Sequence, residues 1–228
     1  MSFDTQNIST DLSYLTDTQP SSLYANDSSN EDSVVILTRL WMNERNAPEL
    51  LPYQKQLIDN LIEMIEDQAM MDEMTSNLES KFASMLYQTE MERIRYLIKS
   101  YLRTRLFKIE KYTLELLRKP DYAEIMSSQE IVYARRYQEL IEVHNHESFL
   151  QQLPTTQHKQ DEKAGDLDMV VSANLEAPVF CRVLDDIGEI QWAVNDSAET
   201  TVLEKDGTYI IRYRAIQEYL KEERIQLI

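Results

Sequence analysis

Glycine is absent from the first 164 residues of this 228-residue chain, whose three glycines are Gly165, Gly188 and Gly207. Loops that cradle phosphates or dinucleotides need glycine where the backbone approaches the ligand or takes a positive φ. The first three-quarters of the chain therefore lack the means to build one. Long helices lose nothing by the same absence, because each interior glycine would cost them about 1 kcal/mol relative to alanine. The return of glycine after residue 164 marks a second kind of architecture. The expected fold is mainly α with a small β module (α+β, two domains): an N-terminal helical bundle followed by a C-terminal small β domain.

Charge narrows the function classes. Lys and Arg number 23 against 40 Asp and Glu, a net charge of −17, and 43 % of residues are hydrophobic. A globular domain fits this balance, and a free-standing protein that grips nucleic-acid backbones does not. The single cysteine, Cys181, forms no internal disulfide, which favours a reducing compartment. With no basic leader followed by an apolar run, and no stretch nearing 18 apolar residues, neither secretion nor a membrane partner is expected. Residues 1–32 carry six acids and no base and read as a disordered acidic tail. Within it Ile8, Leu12 and Leu15, with Asp11 beside them, could line one face of a short partner-binding helix.

Residues 33–153 read as the helical domain. Ser33 can cap a helix with Val34, Leu37, Leu40 and Trp41 on its apolar side. Pro48 and Pro52 then break it. A second helix has Leu57, Leu61, Met64 and Ile65 on one side. A third could run from about residue 77 or 80 to Arg118, roughly 60 Å at 1.5 Å per residue. Such a helix outspans a small domain, and its broad apolar coverage points to a subunit interface. Its stretch 93–119 holds nine bases and two acids. Two readings stand for that stripe: ion pairing with acidic helices of this or a partner chain, or contact with DNA backbones. Ser127 and Glu130 form a capping-box pattern that opens a fourth helix reaching about Gln152.

Residues 154–168 are polar and uneven, and read as a tether. From 169 to 228 the pattern turns to strands. Val179–Leu184, Ile190–Val194 and Thr201–Leu203 are the first three, and Lys205-Asp206-Gly207 is a hairpin signal before Tyr209–Tyr213. A short helix over 215–221 and a last strand over 225–228 complete it. At about 60 residues, close to the smallest size that folds alone, this module should dock on a neighbour, with its apolar terminus tucked into a core.

No catalytic constellation emerges. His144 and His146 are two residues apart on a helix and so face different ways, while His158 sits in the tether. No cysteine accompanies them, so no metal or cofactor is expected. Carboxylate pairs such as Glu63 with Asp67 are what 40 acids produce by chance, and the glycine-flanked nucleophile turn is missing.

Three stretches together carry a resemblance. They are Trp41-Met42-Asn43-Glu44 through Ala47-Pro48-Glu49-Leu50-Leu51; Met91-Glu92-Arg93-Ile94-Arg95-Tyr96 continuing through Ser100-Tyr101-Leu102-Arg103 to Lys111; and Leu203–Gly207 with Ile211-Arg212-Tyr213 and Gln226-Leu227-Ile228. They resemble the "Go" (five) subunit family of the eukaryotic GINS complex over about residues 37–228. The resemblance implies a nuclear, non-catalytic member of a four-chain assembly, with the "Ichi" (one) subunit as closest partner. It further implies bridging of the MCM helicase ring and the Cdc-family accessory factor in chromosomal replication, with links to polymerase epsilon. Some fungal members dock an N-terminal peptide on the trimeric replisome adaptor, and Ile8, Asp11, Leu12 and Leu15 look like such a peptide. Under this reading Trp41, Tyr96, Tyr101 and Ile109 are expected as packing anchors toward sister subunits, and Arg103 with Arg105 as interface charges. Trp192, Ile211, Tyr213, Leu227 and Ile228 are expected to lock the β module onto the complex.

Overall fold

A computed structural model describes residues 32–73, 78–165, 167–194 and 197–228, with side chains at all of these except 70–73, 78–80, 155, 164, 167, 191–194 and 197–199. The tail residues Ile8, Asp11, Leu12 and Leu15 lie outside the described residues, as does the side chain of Trp192.

Helix α1 (Ser33–Asn46) includes Ser33 rather than being capped by it. It is followed by an irregular segment, then α2 (Lys55–Glu73) and α3 (Leu78–Lys111). Leu37, Ile58, Leu61, Ile65, Leu97, Ile98 and Tyr101 meet in one core, with Trp41 and Tyr53 packed beside it. The 3.6-residue period brings Leu97, Ile98, Tyr101, Arg105, Lys108 and Ile109 to one side of α3, and all six are buried.

The expected unbroken third helix stops early. It ends at Lys111, turns at Tyr112 and resumes as α4 (Thr113–Arg118). Neither proline nor glycine is responsible. At the break Tyr112 takes φ −115° and ψ 22°, and the Thr113 hydroxyl after it donates to the carbonyls of Ile109 (2.6 Å) and Glu110 (3.1 Å). After the single turn α5 (Tyr122–Ile125) comes α6 (Ser128–Ser148). The capping box forms as expected: Ser127 Oγ accepts from the Glu130 amide, and Glu130 Oε2 accepts from the Ser127 amide.

The expected tether folds back on the helices. It carries a turn of 3-10 helix at Thr155–Gln157 and a minimal antiparallel pair, β1 (Lys163–Ala164) with β2 (Leu167–Asp168). Arg118 reaches Asp161 at 2.5 Å, and Asn145 donates to Gln160 at 2.8 Å.

In the C-terminal module β3 (Pro178–Val183) lies between β6 (Thr208–Arg212) and β7 (Ile225–Leu227), antiparallel to both. β4 (Gly188–Val194) and β5 (Ser197–Leu203) pair separately. Asp206-Gly207 is thus not the tip of a hairpin but a corner that passes the chain from one sheet to the other. Asp206 takes φ 61° there. At Gly207 an added Cβ would come within 2.5 Å of the Tyr209 ring. Val179, Cys181 and Val183 alternate inward along β3 and meet Ile211, Ile225 and Leu227, with Tyr213, Ile216 and Leu220 closing the core from α7 (Tyr213–Lys221). Ala47, from the segment after α1, belongs to this core as well.

Candidate functional site

The most chemically loaded place in the chain is a cluster of four charges sealed between α1, α3 and α6. Arg105 is 0 % exposed. Its guanidinium has five N–H donors, and five acceptors receive them. Nε and one Nη2 bond reach the two Glu130 oxygens at 2.7 and 3.0 Å. Nη1 reaches Glu44 Oε2 at 3.1 Å and the Leu51 carbonyl, and Nη2 also reaches the Ile125 carbonyl at 3.0 Å. Lys108 uses its three donors on the Glu44 carbonyl, Glu44 Oε1 (2.7 Å) and the Glu49 carbonyl (2.7 Å). Two cations and two carboxylates cancel, and no buried side-chain donor or acceptor among the described residues lacks a partner. The rings of Tyr53 and Tyr101 face the Arg105 guanidinium at 5.2 and 5.6 Å, within cation–π range.

The broken helix supplies the acceptors. Prolines 48 and 52 keep residues 47–54 out of helix, so the carbonyls of Glu49 and Leu51 are free for Lys108 and Arg105. Burial alone would lower the pKa of Arg105, but Glu130, with the nearby Tyr101 and Glu44, more than offsets it and holds it above the ordinary value. For Lys108 burial outweighs Glu44, and its pKa falls. Burial pushes Tyr101 up to about 12.

The same segment seats the C-terminal module. Asn43 Oδ1 accepts the Leu227 amide at 2.8 Å. Glu49 Oε1 accepts from the Tyr213 hydroxyl at 2.8 Å and from Gln217 at 2.6 Å. Burial first, then the Glu49 charge, raises the Tyr213 pKa, so this phenol stays a donor.

Several residues expected at subunit contacts are corrected by this geometry. Tyr101, Arg105 and Ile109 are enclosed by their own chain, as are Ile211, Tyr213 and Leu227 in the module. Their packing and charge partners are intrachain, because α3 is wrapped by α1, α2 and α6 and the inward face of β3 by its own neighbours. Trp41 is half-buried, with its indole N–H donating to Ser100 Oγ at 3.0 Å. Tyr96 (62 % exposed) and Arg103 remain on the surface. Phe107, 66 % exposed, joins them. Residues 96, 103 and 107 lie within about 40° of one another around a helix at 100° per residue. On the module Phe180 and Ile210, cross-strand partners on the outward sheet face, stand open together with Ile228.

The basic stripe 93–119 is largely spent within the chain. Arg93 pairs with Glu90, Arg95 with Glu92, Arg118 with Asp161 and Lys119 with Glu115, while Arg105 and Lys108 are in the cluster. Lys99, Arg103 and Lys111 make no ion pair among the described residues. No group of three or more His, Cys, Asp and Glu among the described residues could hold a metal. Cys181 is fully buried, and burial pushes its thiol up to about 11, far from a reactive thiolate.

Sequence reasoning missed Asn43, Lys108, Glu44, Glu49 and the second role of Glu130. A signal exists for the burial of Lys108, and of Arg105 with it. Arg105 sits seven residues from both Ile98 and Tyr112, and Lys108 seven from Tyr101, which places both on the buried seam of α3.

Two family models match the chain. Residues 53–148 match the "GINS complex protein helical bundle domain", and residues 174–228 match the "DNA replication complex GINS protein SLD5 C-terminus". Among curated relatives, the DNA replication complex GINS protein sld5 of Schizosaccharomyces pombe is 35 % identical over 190 residues, covering 82 % of this chain and 88 % of the relative. The SLD5 proteins of Arabidopsis thaliana and Bos taurus are each 32 % identical, covering 86 % and 90 % of this chain and 90 % and 97 % of their own.

Proposed function

We infer, from the premise that this chain belongs to the SLD5 family of GINS replication proteins, that it acts as a non-catalytic scaffold subunit of a heterotetrameric GINS complex. In this role it joins the three sister chains, the "Ichi" subunit closest. It helps bridge the MCM ring and the Cdc-family accessory factor during chromosomal replication in the nucleus. Polymerase epsilon and the trimeric replisome adaptor are further partners, the adaptor through Ile8, Asp11, Leu12 and Leu15.

The observation that carries the reading is how the polar residues are used. The buried charges are consumed in holding the chain's own elements, while apolar and aromatic side chains stay open on the outer faces. Tyr96, Arg103 and Phe107 on α3, with Phe180, Ile210 and Ile228 on the module, are the proposed partner contacts. Aromatic residues and arginine dominate such contacts energetically. The DNA-backbone alternative has less to work with, since six of the nine bases of 93–119 are paired within the chain.

Co-expression with the three sister chains tests the scaffold reading. Tyr96→Ala with Arg103→Glu and Phe107→Ala should leave the helical signal intact and sharply reduce recovery of a 1:1:1:1 particle. Undiminished recovery would remove these residues from the interface. A chain that binds short duplex DNA with a steep salt dependence would favour the alternative.

A further inference from the structure

The segment from Asn43 to Pro52 faces two ways. Toward the helices it offers the Glu44 carboxylate and the carbonyls of Glu44, Glu49 and Leu51, all taken by Lys108 and Arg105. Toward the C-terminal module it offers side chains: Asn43 to the Leu227 amide, Glu49 to Tyr213 and Gln217, and Ala47 and Leu51 to the module's core. Glu49 belongs to both sides. Its carbonyl is held by Lys108, and its carboxylate holds the module. Asn43 and Glu44 are held by the last turn of α1, but residues 47–52 have no intrahelical ladder to set their shape, so the cations on α3 fix where Glu49 points.

We propose that residues 43–52 are a latch that couples the seating of the C-terminal module to the buried charge cluster, with Lys108 and Glu49 as its positioning residues. The module folds around its own core, and the latch decides where it sits relative to the helices. It thereby sets the spacing between the α3 surface at Tyr96, Arg103 and Phe107 and the module surface at Phe180, Ile210 and Ile228.

The Leu227 amide is a natural reporter. Its N–H points away from β3 to Asn43, whereas the Ile228 amide donates to Phe180 within the sheet. Hydrogen exchange read residue by residue on the full-length chain separates unseating from unfolding. Lys108→Met, which touches nothing in the module, should speed exchange at Leu227 by roughly tenfold or more, while β3–β6 amides change by less than about twofold. Glu49→Ala should do the same, and the double variant should exchange at about the rate of the faster single, because both cut one connection. Equal acceleration of Leu227 and the β3–β6 amides would mean general destabilisation and overturn the latch, as would an unchanged Leu227 in Lys108→Met or simple additivity.

Tyr213→Phe removes only a hydroxyl and probes the coupling from the other side, should Lys108→Met fail to fold. By reciprocity of linkage it should speed exchange of the Tyr53 amide, which donates to the Ile125 carbonyl beside Arg105. An unmoved Tyr53 amide refutes the coupling.

Discussion

Replacing Arg105 by methionine isolates the charge cluster's contribution, because methionine keeps the length of the stem and removes the guanidinium. Five hydrogen bonds disappear. The Ile125 carbonyl keeps the Tyr53 amide, and Glu44 keeps Lys108. Glu130 fares worst, with a buried carboxylate left to the Ser127 amide alone. Removing one partner of a buried pair costs about 3–5 kcal/mol, chiefly through the charge left behind. With a urea m-value of about 2 kcal/mol/M, the unfolding midpoint should fall by roughly 1.5–2.5 M. The diagnostic variant is Arg105→Met with Glu130→Gln. A neutral amide needs no cation, and its oxygen can still cap Ser127. The double variant should therefore be more stable than Arg105→Met, by about 1–2 kcal/mol. Urea melts followed by circular dichroism give all three values at constant m. A double variant that merely sums the two single losses would refute the claim that an orphaned carboxylate is the source of the cost.

The other two predictions concern the cap and the buried phenols. Ser127→Ala removes the side-chain half of the capping box on α6 while leaving the Glu130 bond to the Ser127 amide, so it should cost about 1 kcal/mol and lower the melting temperature by roughly 2–4 °C; no shift would show that the cap is idle. Tyr101, with its pKa raised from 10.0 to about 12, contributes stability that is fully present below pH 10 and lost as pH rises through 12. The loss is about 3 kcal/mol at 1.36 kcal/mol per unit, reinforced by the raised Tyr213 and partly offset by Lys108, whose lowered pKa acts with the opposite sign. Tyrosinate absorbance and circular dichroism recorded together should show the last tyrosines ionising only as the helices melt. Full ionisation in a folded protein would contradict their burial.

Local features were legible in the sequence, and long-range pairings were not. The capping box at Ser127 and Glu130, the break at Pro48 and Pro52, the inward alternation along β3 and the apolar last strand each follow from neighbouring residues. Arg105 is expected as a subunit-interface charge from the sequence, because its carboxylates lie 61 and 25 residues away, at Glu44 and Glu130, and no local pattern announces that meeting. The same holds for Asp206-Gly207. The dipeptide specifies a tight turn, but which strands it joins depends on β3 taking β6 as its partner while β4 takes β5. The break at Tyr112 falls in a stretch with no proline or glycine, so no local breaker announces it. The supposed tether folded back through Asp161 and Gln160, whose partners on α4 and α6 are likewise distant in sequence.

A buried ion cluster is a poor device for stability alone, since apolar residues of similar volume often do as well. What the cluster supplies instead is register. An apolar seam along α3 repeats every seven residues, so sliding the helix by one heptad would present similar side chains to α1, α2 and α6. Arg105 forbids that slide. Its five donors find five acceptors only where Glu44, Leu51, Ile125 and Glu130 converge, and one heptad away the two carboxylates would face Ile98 or Tyr112. Register along α3 also means azimuth, because the same setting that buries Arg105 turns Tyr96, Arg103 and Phe107 outward. The proposed scaffold role would gain from a core that is satisfied in one arrangement only. In that sense the residues that never reach the surface determine which residues do.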